Sequence, residues 1–126
     1  MNYKGIIIEE SLQNTDVLKS VKILNTIISP VTERHQTPWV KQWTMHTVEV
    51  DEKIAESLAQ QISETMDPEH SWFADYNNGV IHYIIFYKKV FKVDMIKEKE
   101  YAQAKDYGLS INIPDHQLIF VKRLIK

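Results

Sequence analysis

The sequence predicts an α+β fold, in which a two-layer domain has a mainly antiparallel sheet and two helices on one face of that sheet. Three observations support this prediction: six short segments of strand composition, two segments of helical periodicity, and no linker between them. The order along the chain is β-β-β-α-β-β-β-α. An antiparallel sheet with helices packed on one face is the natural two-layer solution for this order, so residues 1–126 are expected to form a single domain.

The first half of the chain is expected to contribute three strands and one helix. Residues 3–9 form the first strand, and the β-branched run 21–29 forms a second strand that stops at Pro30, which cannot donate to a ladder. Residues 43–50 have the composition of a third strand. Asp51 then caps a helix. The apolar stripe of this helix contains Ile54, Ala55, Leu58, Ala59, Ile62 and Met66.

The second half begins with the clearest hairpin in the sequence. Segments 71–76 and 80–87 are separated by Asn-Asn-Gly, and an Asn-Gly pair accepts the positive φ angles of a type I′ turn. If the last two of these three residues form the loop, Asp75 lies directly opposite His82. A shift of two residues would change the partners but would keep both side chains on one face of the sheet.

The remaining elements are a strand over 90–95 and a helix over 97–107, with Gly108 at the position of a C-cap. A turn is expected at the Ile-Pro-Asp sequence that follows. Residues 117–126 are apolar and basic, and their sequence fits a strand, a helix or an unstructured tail, so these alternatives stay open.

The composition excludes several classes of site. Without cysteine, the chain has no disulfides, thiolate metal sites or thiol nucleophile. Its three glycines form no phosphate-binding loop and its histidines lack metal-ligand spacing, so we expect no cofactor and no metal. The net charge of -2 argues against nucleic acid as a partner. No signal-peptide or membrane-spanning run is found, which predicts a cytoplasmic protein without membrane contact.

The hairpin supplies the one pair of residues with catalytic character, Asp75 and His82. Directly opposed side chains have Cβ atoms about 4.5–5.5 Å apart, which allows a carboxylate–imidazole hydrogen bond. An aspartate that orients a histidine is half of many acid–base sites, so the pair could serve catalysis. The alternative is a polar cross-strand pair that only sets the register of the hairpin, and we therefore assign no catalytic residue.

Aromatic residues supply the candidates for binding. Strand 80–87 is apolar on both faces, which predicts that both are covered, one by the helices and the other by a loop, a second protomer or a ligand. For the residues on the sheet, the alternative is ordinary core packing. For Trp39 and Trp43, in the loop before the third strand, the alternative is that they cover the edge of the core. The six candidates are Trp39, Trp43, Trp72, Tyr76, Tyr83 and Tyr87.

Histidines and carboxylates elsewhere are expected to be structural. Loop 67–70 gathers two carboxylates and an imidazole, but its spacing matches no established metal site and favours a solvated loop at a helix end. His46 alternates with two valines, which predicts a buried histidine with its hydrogen bonds satisfied. His35 and His116 lie in loops and carry no functional signal.

Several longer runs resemble a known group of proteins. These runs are residues 37–43 (TPWVKQW), 70–77 (HSWFADYN), 83–86 (YIIF), 89–93 (KVFKV), 107–109 (YGL) and 113–118 (IPDHQL). Together they resemble a family of small, single-domain, uncharacterised bacterial proteins. The resemblance covers most of the chain and implies a bacterial origin and an intact one-domain architecture. It assigns no activity and no catalytic residue.

Two functions follow from these features. The first is a non-enzymatic binding or protein-interaction module, self-associating as a homodimer or binding a protein or small molecule through the aromatic sheet face and the loop of Trp39 and Trp43. The second is a small hydrolase or isomerase with His82 as general base and Asp75 as its orienting residue. A third alternative, single-stranded nucleic-acid binding through tyrosines of strand 80–87, is disfavoured by the net charge.

Overall fold

The structure is a computed structural model and describes residues 1–32 and 37–118. The predicted α+β fold and the order of its elements are confirmed. The strands and helices are β1 (Tyr3–Ile8), β2 (Lys22–Pro30), β3 (Gln42–Val50), α1 (Ala55–Thr65), β4 (Ala74–Asn77), β5 (Ile81–Phe86), β6 (Lys89–Asp94) and α2 (Glu98–Ser110). His35 and the chain beyond Leu118, whose conformation the sequence left open, lie outside the described residues.

The six strands form one antiparallel sheet in the order β2-β3-β1-β4-β5-β6. β1 is central, since it pairs with β3 on one side and with β4 on the other. Gly5 makes the second pairing possible: a Cβ atom at this position would lie 1.9 Å from the backbone oxygen of Asp75. Only glycine lets the two backbones approach so closely.

The two helices lie on opposite faces of the sheet, so the prediction that they share one face is wrong. Tyr83 and Ile85 of β5 pack in the core that contains α1, whereas Ile84 and Phe86 pack in the core that contains α2. The apolar residues on both faces of β5 correctly predicted a doubly covered strand, but the second cover is α2 rather than a loop, a second protomer or a ligand. Among the described residues, neither helix is long and apolar enough to cross a membrane.

The hairpin of β4 and β5 has a register two residues away from the predicted one. His82 pairs with Asn77, and Asp75 pairs with Ile84, so Gly79 and Val80 form the turn. The side chain of Asn78 causes this shift, because its oxygen accepts the amides of both residue 80 and residue 81 at 2.9 and 2.7 Å. Glycine with a φ of 90° at the first central position is typical of a type II′ turn rather than type I′.

Candidate functional site

A cavity of about 160 Å³ opens on the sheet face that α2 also covers. β1, β3 and β4 supply its floor and one side, and the segment that follows α2 supplies another side. Its apolar lining consists of Ile6, Ile8, Trp43, Trp72, Phe73 and Ile113. Its polar lining consists of Thr37, Ser71, Asp75, His116 and Gln117. An apolar concave surface with a few polar groups has the general composition of a small-molecule site.

Asp75 connects this cavity to a buried hydrogen-bond network. Its Oδ2 lies 2.7 Å from His82 Nε2, and His82 Nδ1 lies 2.8 Å from the hydroxyl of Tyr101. The His82 side chain is 0% exposed and that of Asp75 is 4% exposed. The network therefore runs from the cavity wall through β5 to α2.

The hydroxyl of Tyr101 ends the network on the side of α2. Burial first, and then the negative charge of Asp75, raise the pKa of Tyr101 to about 12, so its hydroxyl keeps its proton at neutral pH. An ionised carboxylate only accepts hydrogen bonds, so Nε2 of His82 donates to Asp75, and the Tyr101 hydroxyl is the hydrogen-bond partner of Nδ1 on the other side of the ring.

This geometry reverses the roles that the sequence suggested for the pair. Both ring nitrogens of His82 are engaged within the protein and its side chain is fully buried, so it cannot accept a proton from a molecule in the cavity. Asp75, by contrast, lines the cavity. Asp75 is thus the residue placed to contact a ligand, and His82 orients its carboxylate through a hydrogen bond.

The aromatic candidates separate into two groups, one in the core beneath α1 and one beside the cavity. Tyr76 and Tyr83 lie 5.7 Å apart in the core beneath α1, and the Tyr76 hydroxyl donates to Ala55 O at 2.6 Å. Burial raises the pKa of Tyr76 well above its usual range. The expectation of an aromatic sheet face available for binding is therefore corrected, because α1 buries these two tyrosines in the monomer.

The three tryptophans form the second group, next to the cavity. Trp43 and Trp72 line it with ring centroids 5.7 Å apart, and Trp43 donates to Thr37 Oγ1 at 2.9 Å. Trp39 is 42% exposed and meets Trp72 edge to face at 6.2 Å. Tyr87 packs against the core beneath α1 and lines a second depression, whose lining also includes Ser71 and Trp72. Only part of the predicted set is therefore brought together at one place.

Loop 67–70 is a hydrogen-bonded structure that also supports Trp39. His70 Nδ1 donates to Asp67 Oδ2 at 2.7 Å, and the ring of His70 stacks on that of Trp39 at 3.9 Å. Ligand atoms of Asp67, Glu69 and His70 lie within 4.8 Å of one another, close enough to surround a cation. Asp67 accepts hydrogen bonds from the amide of Glu69 and from the ring of His70, so the loop is held by contacts between its own residues.

We expect Asp67→Asn to lower the free energy of unfolding by about 1 kcal/mol at neutral pH, because the carboxylate accepts several hydrogen bonds. Burial raises the pKa of Asp67, but hydrogen bonds from Glu69, His70 and Trp72 outweigh it and lower the pKa. A carboxylate whose pKa is lower in the folded state than in the unfolded state stabilises the fold at pH values above its unfolded-state pKa of about 3.9. This stabilisation is lost as the pH falls through its folded-state pKa. Urea titrations of both proteins at neutral and acidic pH should show a difference that shrinks in acid. A difference that persists in acid would contradict this interpretation.

Several site residues were missed from the sequence, and one structural prediction is confirmed. Tyr101 was placed on a helix but was not linked to His82, although its spacing from Ala104 and Gly108 places it on the buried helix face. His116 lies at the cavity although no sequence pattern singled it out. His46 is buried as predicted, with its nitrogens 2.8 Å from Thr26 Oγ1 and 2.9 Å from Glu9 Oε1.

Comparisons with protein-family models, with curated proteins and with solved structures found no match. The resemblance to a family of small bacterial proteins therefore stays a prediction. The interpretation of the cavity rests on its own geometry and chemistry.

Proposed function

We propose that this chain is a small-molecule binding domain whose site is the cavity beside Asp75. The observation that carries the proposal is a nearly buried carboxylate, oriented by His82, in the wall of a mainly apolar cavity. Such a group is costly to bury, and a polar group placed among apolar walls usually fixes the orientation of a ligand. The proposed location of the protein is the cytoplasm, in keeping with its lack of cysteine.

The chemistry of the cavity favours a small ligand with an apolar body and a hydrogen-bond donor. An ionised carboxylate only accepts hydrogen bonds, so Asp75 selects an ammonium, amidinium, amide or hydroxyl group. Trp43 and Phe73 offer aromatic surface for the apolar part of such a molecule. The volume of about 160 Å³ limits the ligand to the size of a small metabolite.

A thermal-shift screen with small primary amines, amino acids and amidines tests the proposal. A ligand at 100 times its Kd stabilises by about 2.7 kcal/mol, which raises the Tm of a domain of this size by roughly 10 °C. We expect Asp75→Asn, which keeps the shape of the side chain and removes its charge, to lose most of the ligand-induced shift. The matched control is Asp106→Asn, which removes an exposed carboxylate from α2 and should keep the shift. Each shift is measured against the ligand-free Tm of the same variant. Equal shifts in wild type and Asp75→Asn, or no shift with any donor-bearing ligand, would contradict the proposal.

A second candidate is acid–base catalysis at the same cavity. The hydrogen bond from His82 to Asp75 favours it, because a carboxylate that is held in place beside a cavity can transfer protons. In this version Asp75 touches the substrate, while His82 is a positioning residue. Turnover of a ligand found in the screen, with loss of that turnover in Asp75→Asn, would favour the enzyme. Binding without turnover would favour the binding domain.

A further inference from the structure

β2 is an edge strand with an exposed apolar surface on both of its faces. Among the described residues it pairs with β3 alone, so its outer row of backbone groups faces away from the sheet. Four of its nine residues are large apolar side chains that are between 42% and 60% exposed: Ile23, Leu24, Ile27 and Ile28. An edge of this kind is a template for another strand.

β6 forms the opposite edge of the sheet and, within the part of the chain that the structure describes, pairs with β5 alone. β6 carries Lys89, Lys92 and Asp94, and charged side chains on an edge oppose the addition of another strand. β2 has one ionisable residue, Lys22, at its first position. The middle of β2 has no such protection, and its polar side chains are the neutral Asn25 and Thr26.

We infer that β2 is the interface of a homodimer, in which it pairs antiparallel with β2 of a second copy and joins the two sheets. A strand that pairs with this edge should be extended, apolar on both faces and as long as β2, and β2 of a second copy is such a strand. Charge supports the antiparallel arrangement, because it separates the two Lys22 side chains to opposite ends of the interface, whereas a parallel arrangement would bring them together.

Two local features set the length of the paired region. The register with β3 shifts between Ile23 and Asn25, and such a bulge interrupts a regular strand. Pro30 lacks an amide hydrogen at the other end. The regular part, residues 25–29, contains Ile27 and Ile28, so these two side chains should lie nearest the two-fold axis. Because two-fold pairing uses the same edge on both copies, the assembly closes at a dimer.

Light scattering after size exclusion tests the oligomeric state. We expect twice the mass of the chain for the wild type at about 100 μM, a concentration well above a micromolar Kd. Ile28→Lys should shift the mass to that of a monomer, because two-fold pairing places two added charges close together. The matched control is Ile96→Lys, a change at a side chain that is 88% exposed outside the sheet, and this variant should remain a dimer. A monomeric wild type, larger open-ended assemblies, or an Ile28→Lys variant that stays dimeric would overturn the inference.

Cross-linking gives an independent measurement that does not depend on adding a charge. The chain has no cysteine, so Ile27→Cys introduces a single thiol on β2. A short bis-maleimide should join two copies of this variant rapidly, and it should join Ile96→Cys at least ten-fold more slowly. Equal rates for the two variants would overturn the β2 interface, whatever the behaviour of Ile28→Lys.

Discussion

We expect His82→Leu to lower the free energy of unfolding by about 3 kcal/mol, because it removes the middle of a buried network. Asp75 loses its hydrogen bond from Nε2, and the Tyr101 hydroxyl loses its hydrogen-bond partner at Nδ1. The leucine side chain is close in size to imidazole, so lost packing contributes little, and the cost comes from the buried carboxylate. Urea denaturation followed by tryptophan fluorescence measures the change.

His46→Leu is the matched control for this prediction. His46 is also buried and also binds two oxygen atoms, those of Thr26 and Glu9. The side chain of Glu9 is 44% exposed, however, so water can replace the lost contact. We therefore expect a loss of about 1 kcal/mol. If the two variants lose the same free energy, the buried carboxylate of Asp75 does not have the energetic role that the structure indicates.

The second large effect is expected from Gly5→Ala, which should destabilise the protein by about 3 kcal/mol or prevent it from folding. The added methyl group would meet the backbone of Asp75 and Tyr76, and backbone atoms cannot rotate away as a flexible side chain can. Relief requires β1 and β4 to separate at the centre of the sheet. The yield of soluble protein and its urea midpoint measure the effect.

Gly79→Ala separates this steric effect from the general cost of replacing glycine. Gly79 has a φ of 90°, which disfavours alanine, but a Cβ atom there would meet only Met1 Cε at 4.0 Å. We expect a loss of about 1–2 kcal/mol from backbone strain alone. A Gly5→Ala variant no less stable than Gly79→Ala would show that β1 and β4 tolerate a side chain between them.

The sequence by itself determined the features that depend on one segment at a time. The spacing of apolar residues predicted α1, and Leu58 and Ile62 of its predicted stripe are buried, although the helix begins at Ala55 and Asp51 does not cap it. Alternation along β3 correctly placed His46 on the buried face. The element order followed in the same way, because periods of 3.6 and 2 are properties of a local stretch of chain.

Tertiary structure alone decided the side of the sheet that α2 covers and the composition of the cavity. β5 is apolar on both faces, so its pattern predicted two covers and assigned one of them to the helices, but it did not identify α2 as the second cover. Asn78 changed the hairpin turn through its own side-chain hydrogen bonds, yet the two-residue shift kept Asp75 and His82 on one face. The contact of His82 with Tyr101 joins a strand to a helix. Such contacts depend on how whole elements pack, because periodicity reports which face of an element is apolar but not which element covers it.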